Sequence, residues 1–290
     1  MIDEESISGL PSPVHNATVI DIPAREVRQV TSQPISDPRF APDGDLVFLS
    51  SGEPPQIERL HRGTGDIEQL ARGYSPTIDG DQLYWVSSTS ADSQIRAKSL
   101  DGTNETHTVY EPPRGCLLGH ERGLDINGPG THLAFVEDCE NTPGGETSKV
   151  ELLDLRNGTT RVVSVGNHPR FESPTTLLHD RETDGGDREI LRQNLTTGRE
   201  RILVPAHAPG TPSHPVPGPG DVFFYSVFEQ RETAAGGDVH EIRFHGSWDR
   251  ATGDSGPVLR LDHFAIGVVD TDAAGNEIVL DILRQDTTST

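Results

Sequence analysis

The chain has 290 residues, with 46 Asp and Glu against 24 Lys and Arg, and a formal net charge of −22. So negative a surface repels phosphate backbones and anionic lipid, which excludes nucleic acid and membrane surfaces as expected partners. With 30 Gly, 22 Pro and 32% hydrophobic residues, the composition favours many short elements joined by turns over a few long helices, and no apolar run approaches the roughly 20 residues of a membrane span.

Residues 1–14 read as an N-terminal tail. They lack a basic region followed by an apolar core, so the expected location is cytoplasmic. "NATVIDIPA" and "REVRQVTSQ", within 15–33, read as two strands. A unit then recurs. Its clearest copy opens "DPRFAPDGDLVFLSS" at Asp37 and continues "QIERLHRGTGDIEQLARG". Later copies begin "SPTIDGDQLYWVSS" at Ser75, "RGLDINGPGTHLAFVED" at Arg122, "HPRFESPTTLLHDR" at His168, "HPVPGPGDVFFYSVF" at His214 and "IGVVDTDAAGNEIVLDILR" at Ile266.

Each copy reads as four strands. The first follows the proline, a glycine turn leads to a nearly all-apolar second, and the third alternates, as in Gln56-Ile57-Glu58-Arg59-Leu60. A continuous apolar strand is buried on both faces. The period of roughly 40–50 residues lies in the propeller range. The expected blades are 35–73, 74–114, 119–166, 167–205, 208–263, and 264–286 completed by 15–33; together they form one domain over 15–286, with a tail at 287–290. Four strands per blade and strands from both chain ends in the last one give a six-bladed, ring-closed, all-β propeller. The long stretch 205–265 leaves a seven-bladed alternative open.

The first-strand signature resembles the TolB-type propeller repeat, in which Ser-Pro-x-aromatic-Ser-Pro-Asp-Gly precedes an apolar strand. That resemblance implies an interaction scaffold. The acidic balance, with Lys98 and Lys149 as the only lysines, resembles proteins of salt-loving archaea and their viruses.

Residues at the start of an inner strand fall near a propeller's channel mouth. Asp37, Arg39, Arg122, His168, Arg170 and His214 are therefore the candidate ligand-binding residues, with His120 and His263 a few residues upstream of their strands. Arginines and histidines together suggest a cationic ring for an anion or acidic peptide, or imidazoles for a metal. The acidic stretches Asp79–Asp81, Asp138–Glu140 and Asp184–Asp187 are candidates for structural calcium but lack the spacing of a helix–loop–helix calcium loop; solvated surface is the competing reading. "GDSGP" at Gly253–Pro257 has no matching histidine motif and reads as a turn, so no catalytic residue is assigned.

Cys116, in the linker entering the third blade, and Cys139, at the end of that blade's second strand, are expected on one face of the ring; a disulfide and two free thiols both remain open. Asn16, Asn104, Asn157 and Asn194 lie in Asn-x-Ser/Thr sequons, relevant to a chain outside the cell. The leading functional expectation is a non-enzymatic scaffold, without a required cofactor, that binds a protein or peptide and takes part in a larger assembly. One alternative is a virion spike, fibre or decoration subunit. Another is a propeller hydrolase, lactonase or lyase with a channel-bound metal; Asp37, Asp125, Asn127 and Asp270 fall near the inner-strand places such ligands take, without a matching motif.

Overall fold

The computed structural model describes residues 16–21, 23–24, 26–31, 35–50, 52–88, 92–100, 105–119, 123–139, 147–206, 210–231, 237–245, 256–262, 264–272 and 276–284. Among them regular structure is entirely β, and no helix is long and apolar enough to cross a membrane. The chain starts with β1 (Asn16–Asp21) and β2 (Glu26–Gln29). One sheet follows from β3 (Ser36–Phe40), β4 (Leu46–Ser50), β5 (Gln56–Leu60) and β6 (Ile67–Arg72). The next comprises β7 (Tyr74–Asp79), β8 (Gln82–Ser88), β9 (Ser93–Ser99) and β10 (Thr106–Tyr110).

The third sheet differs. β11 (Cys116–Leu118) and β12 (Leu124–Ile126) both pair with β13 (His132–Cys139), followed by β14 (Thr147–Asp154) and β15 (Thr159–Val165). Then come β16 (Asn167–Ser173), β17 (Thr176–Glu182), β18 (Arg188–Asn194) and β19 (Glu200–Val204). Next are β20 (Thr211–Pro217), β21 (Phe223–Arg231), β22 (Gly237–His245) and β23 (Gly256–Asp262). Finally β24 (Phe264–Thr271) and β25 (Glu277–Arg284) join β1 and β2 in the order β2-β1-β25-β24.

Where six equivalent blades were expected, five sheets are plain four-stranded antiparallel blades and one has five strands. The reason is local. The inner edge of the third sheet is divided between β11 and β12, which pair with successive parts of the long β13. Cys116 thus lies in a strand and not in a linker.

The apolar second strands explain the packing. Successive residues of a strand face opposite sides. Leu46 and Phe48 pack with Ala17, Val19 and Val279, whereas Val47 and Leu49 pack with Leu83 and Trp85 of the following sheet. The same layering continues from Val86 and Ile95 to Leu133 and Phe135, from Ala134 and Val150 to Phe171 and Leu177, and from Leu178 and Ile190 to Phe223 and Tyr225. The second strands β4, β8, β13 and β17 therefore each serve two cores.

Glycine brings two inner strands close to their neighbours. Gly73 and Gly166 have φ of 147° and 151° and precede β7 and β16. A Cβ at Gly73 would be driven into the Val86 carbonyl and the Trp85 ring, and one at Gly166 into the Asp180 carbonyl.

Candidate functional site in the channel

The first strands of the sheets, β3, β7, β12, β16, β20 and β24, lie side by side in that succession, with β24 beside β3. Four contain an equivalent residue followed by proline: Asp37-Pro38, Ser75-Pro76, His168-Pro169 and His214-Pro215. Asp37, Ser75, His168 and His214 have φ of 48°, 48°, 50° and 51°, a left-handed conformation uncommon outside glycine. At each, the pairing register to the second strand shifts, as in a β-bulge. The four positions are thus equivalent in backbone as well as in sequence.

His168 Nδ1 lies 2.5 Å from Asp180 Oδ2 on β17. The same oxygen accepts the His214 backbone N–H at 3.1 Å. Asp180 is fully buried; burial opposes its charge, but the surrounding groups, His168 first and Arg188 among them, together outweigh this and hold the carboxyl below the ordinary range. Arg188 Nη1 stands 3.7 Å from Asp180 Oδ1, an oxygen with no hydrogen-bond partner. The His168 and His214 rings lie 3.8 Å apart. Burial, then the adjacent His168, pushes His214 down to about 3, so it is neutral at physiological pH. Its Nδ1 is 2.9 Å from Ser213 Oγ.

One step along the strands the register aligns Arg39, Thr77, Asp125, Arg170, Val216 and Asp270. Arg39 Nε donates to Asp37 Oδ1 at 2.9 Å, while its Nη1 is buried without a hydrogen-bond partner. Arg170 lies between two carboxylates, 3.5 Å from Asp125 Oδ1 and 3.3 Å from Asp270 Oδ1. Burial pushes Asp125 up to about 7 and Asp270 up to about 6; Arg39 acts in the opposite direction on both.

The far ends of these strands and the turns after them enclose a cavity of about 260 Å³, lined by Asp125, Arg170, Glu172, Pro217, Asp270 and Asp272. Glu172 accepts a hydrogen bond from Arg192, and Asp272 Oδ1 accepts the backbone N–H groups of Asn276 and Glu277. The cavity lining therefore carries four carboxyl side chains and one guanidinium.

Of the candidate ligand-binding residues singled out from sequence, Arg170 lines this cavity; Asp37, Arg39, His168 and His214 lie on the inner strands outside its lining. Arg122, His120 and His263 lie outside the described residues. A cationic ring does not describe the described part: both arginines face carboxylates and His214 is neutral. The sequence reading passed over Asp180 and Arg188. The signal for Asp180 was available, since His179-Asp180 interrupts the apolar run of "TLLHDRE".

Cys116 lies directly opposite Cys139 across β11 and β13, and the two are joined by a disulfide. Among the described residues, Cys116, Glu137 and Cys139 are the group that gathers three metal-capable side chains, and Glu140 of the acidic stretch Asp138–Glu140 lies outside the described residues.

No family model matches the chain, and no curated protein matches it in sequence. Solved structures do. A protein assigned as TolB from Agrobacterium tumefaciens superposes with a TM-score of 0.70 at 13% identity, covering 95% of this chain and 100% of that one. TolB from Acinetobacter baumannii gives 0.59 at 16% identity, covering 96% and 67%. An oligogalacturonate lyase in complex with manganese gives 0.55 at 18% identity, covering 81% and 67%. At such identities the likeness concerns the fold, and the fold is that of a TolB-like β-propeller with four-stranded antiparallel blades.

Proposed function

We propose that the chain is a non-enzymatic, six-bladed propeller scaffold that binds a protein or peptide at its channel mouth and loop faces. In this reading the divided edge β11/β12 counts as one strand position, and the β1–β25 pairing closes the ring. The observation that carries the binding role is the cavity, where Arg170 is held between Asp125 and Asp270 and Glu172 and Asp272 join the lining. A guanidinium and carboxyl groups held together in a concave pocket suit a polar side chain of a bound segment, because the groups that orient it are already in place.

The test is selection of binders from a displayed library of short random peptides on the wild-type protein, followed by titration calorimetry of the enriched peptides. Arg170→Met is expected to weaken them by about tenfold or more, a loss in the range of a desolvated charge contact. Enriched peptides that bind Arg170→Met as tightly as wild type would place the binding surface elsewhere.

A further inference from the structure

Outside the channel, the third sheet carries a second polar cluster. Glu137 precedes Cys139 by two residues on β13, so both side chains project from one face of the strand. Cys116 on β11 stands opposite Cys139. Glu137 is 4% exposed, and its Oε1 lies 3.4 Å from Cys139 Sγ. A disulfide sulfur has no proton to donate. That contact is a hydrogen bond only when Cys139 is a thiol. The bridged form thus sets a buried carboxylate oxygen against a sulfur that gives it nothing.

The carboxylate is not there by accident of rotamer. Tyr110 donates its hydroxyl to Glu137 Oε2 at 2.7 Å, which leaves Oε1 turned toward the sulfurs. One ligand atom from each of Cys116, Glu137 and Cys139 falls within 4.8 Å of the others. Glu151 of β14 pairs with Phe135 and so shares the face of Glu137, adding a second buried carboxylate. A cavity of about 180 Å³ lined by Asp92, Gln94 and Glu111 borders Cys116, one of the three. Grouped ligands, a hydrogen bond that orients one of them and a cavity bordering another are features that metal sites share.

We propose that, once the Cys116–Cys139 bond is reduced, Cys116, Cys139 and Glu137 form a site for a thiophilic divalent cation of the zinc type, so that bridging and metal binding exclude one another. Two sulfurs and one carboxylate favour zinc over calcium or magnesium and leave a fourth position for water. The chemistry balances with a thiol reductant. Two small thiols supply two electrons and two protons, form their own disulfide and release Cys116 and Cys139 as thiols. The cation then takes both sulfurs as thiolates and releases two protons to solvent.

The full-length protein is reduced with a phosphine, freed of reductant without air and titrated with Co²⁺. About one cobalt per chain is expected, with sulfur-to-cobalt charge-transfer absorption that Zn²⁺ abolishes by displacement. The bridged protein shows neither. Cys116→Ser and Cys139→Ser lose the charge-transfer band, and Glu137→Gln weakens binding by about tenfold to a hundredfold. If reduction alone lowers the far-ultraviolet circular dichroism, Zn²⁺ restores it and shields both cysteines from iodoacetamide, read by mass spectrometry. The proposal is overturned if reduced wild type gives no charge-transfer band, if the bridged form takes up cobalt equally, or if Zn²⁺ neither restores the signal of a reduced, unfolded chain nor protects its thiols.

Discussion

Asp270 Oδ2 accepts the backbone N–H of Phe40 at 2.8 Å, across 230 residues of sequence. Asp125 repeats the arrangement, its Oδ2 accepting the N–H of Phe171 at 2.7 Å. Both phenylalanines end a Pro-Arg-Phe run, and Arg170 of the second run bridges the two carboxylates. Each aspartate therefore ties its own sheet to the next, and one guanidinium couples the two ties.

This coupling has a pH signature. Asp125 and Asp270 are raised to about 7 and about 6, chiefly by burial. A carboxyl raised in the folded state contributes stability that is fully present below the unfolded value of about 4 and is lost as pH rises through the folded value. The double variant Asp125→Asn, Asp270→Asn is expected to lose less stability than wild type between about pH 4.5 and pH 8, the difference being on the order of 1–4 kcal/mol. Urea unfolding at both pH values measures it; parallel losses in the two proteins would show that neither carboxyl governs the slope.

His214 acts with the opposite sign. Its folded value is lowered to about 3, so the unfolded chain binds its proton first, and stability is lost as pH falls from about 6.5 toward 3. Asparagine tolerates the left-handed backbone that His214 adopts and does not titrate. His214→Asn should flatten the acid limb of the urea midpoint against pH. Asp180→Asn, by contrast, removes the buried charge facing His168 and should cost about 3–5 kcal/mol near neutral pH. An Asp180→Asn protein as stable as wild type would mean that the His168–Asp180 contact holds nothing together.

Gly166 and Gly158 separate backbone conformation from space. Both have positive φ, 151° and 71°, but a Cβ at Gly158 meets nothing within 4 Å, whereas one at Gly166 meets the Asp180 carbonyl. Gly158→Ala should cost about 1 kcal/mol, the backbone penalty alone. Gly166→Ala should cost about 3 kcal/mol or more, because the inner strand must move off β17. Thermal unfolding of both variants decides this; equal melting temperatures would show that the close approach is easily relieved.

Much of the architecture is legible in the sequence. The alternation of Gln56–Leu60, the unbroken apolar Leu46–Leu49 and the Asp43-Gly44 turn are short-range patterns, set by side-chain period and by the φ that glycine permits. The same locality makes Asp37, Ser75, His168 and His214 recognisable as equivalents, since each stands before a proline and shortly ahead of a turn. The chemistry among them is not legible. Whether Arg39 and Arg170 present positive charge or spend it on Asp37, Asp125 and Asp270 depends on which strands become neighbours. So does the meeting of His168 with Asp180, and of Cys116 with Cys139 through the divided edge of the third sheet.

What the sequence determined by itself was the repeating unit, because strand period and turn chemistry act over a few residues. What only the tertiary structure decided was the pairing of charges and sulfurs. Those groups come from segments tens to hundreds of residues apart, and they meet only after the sheets have packed against one another.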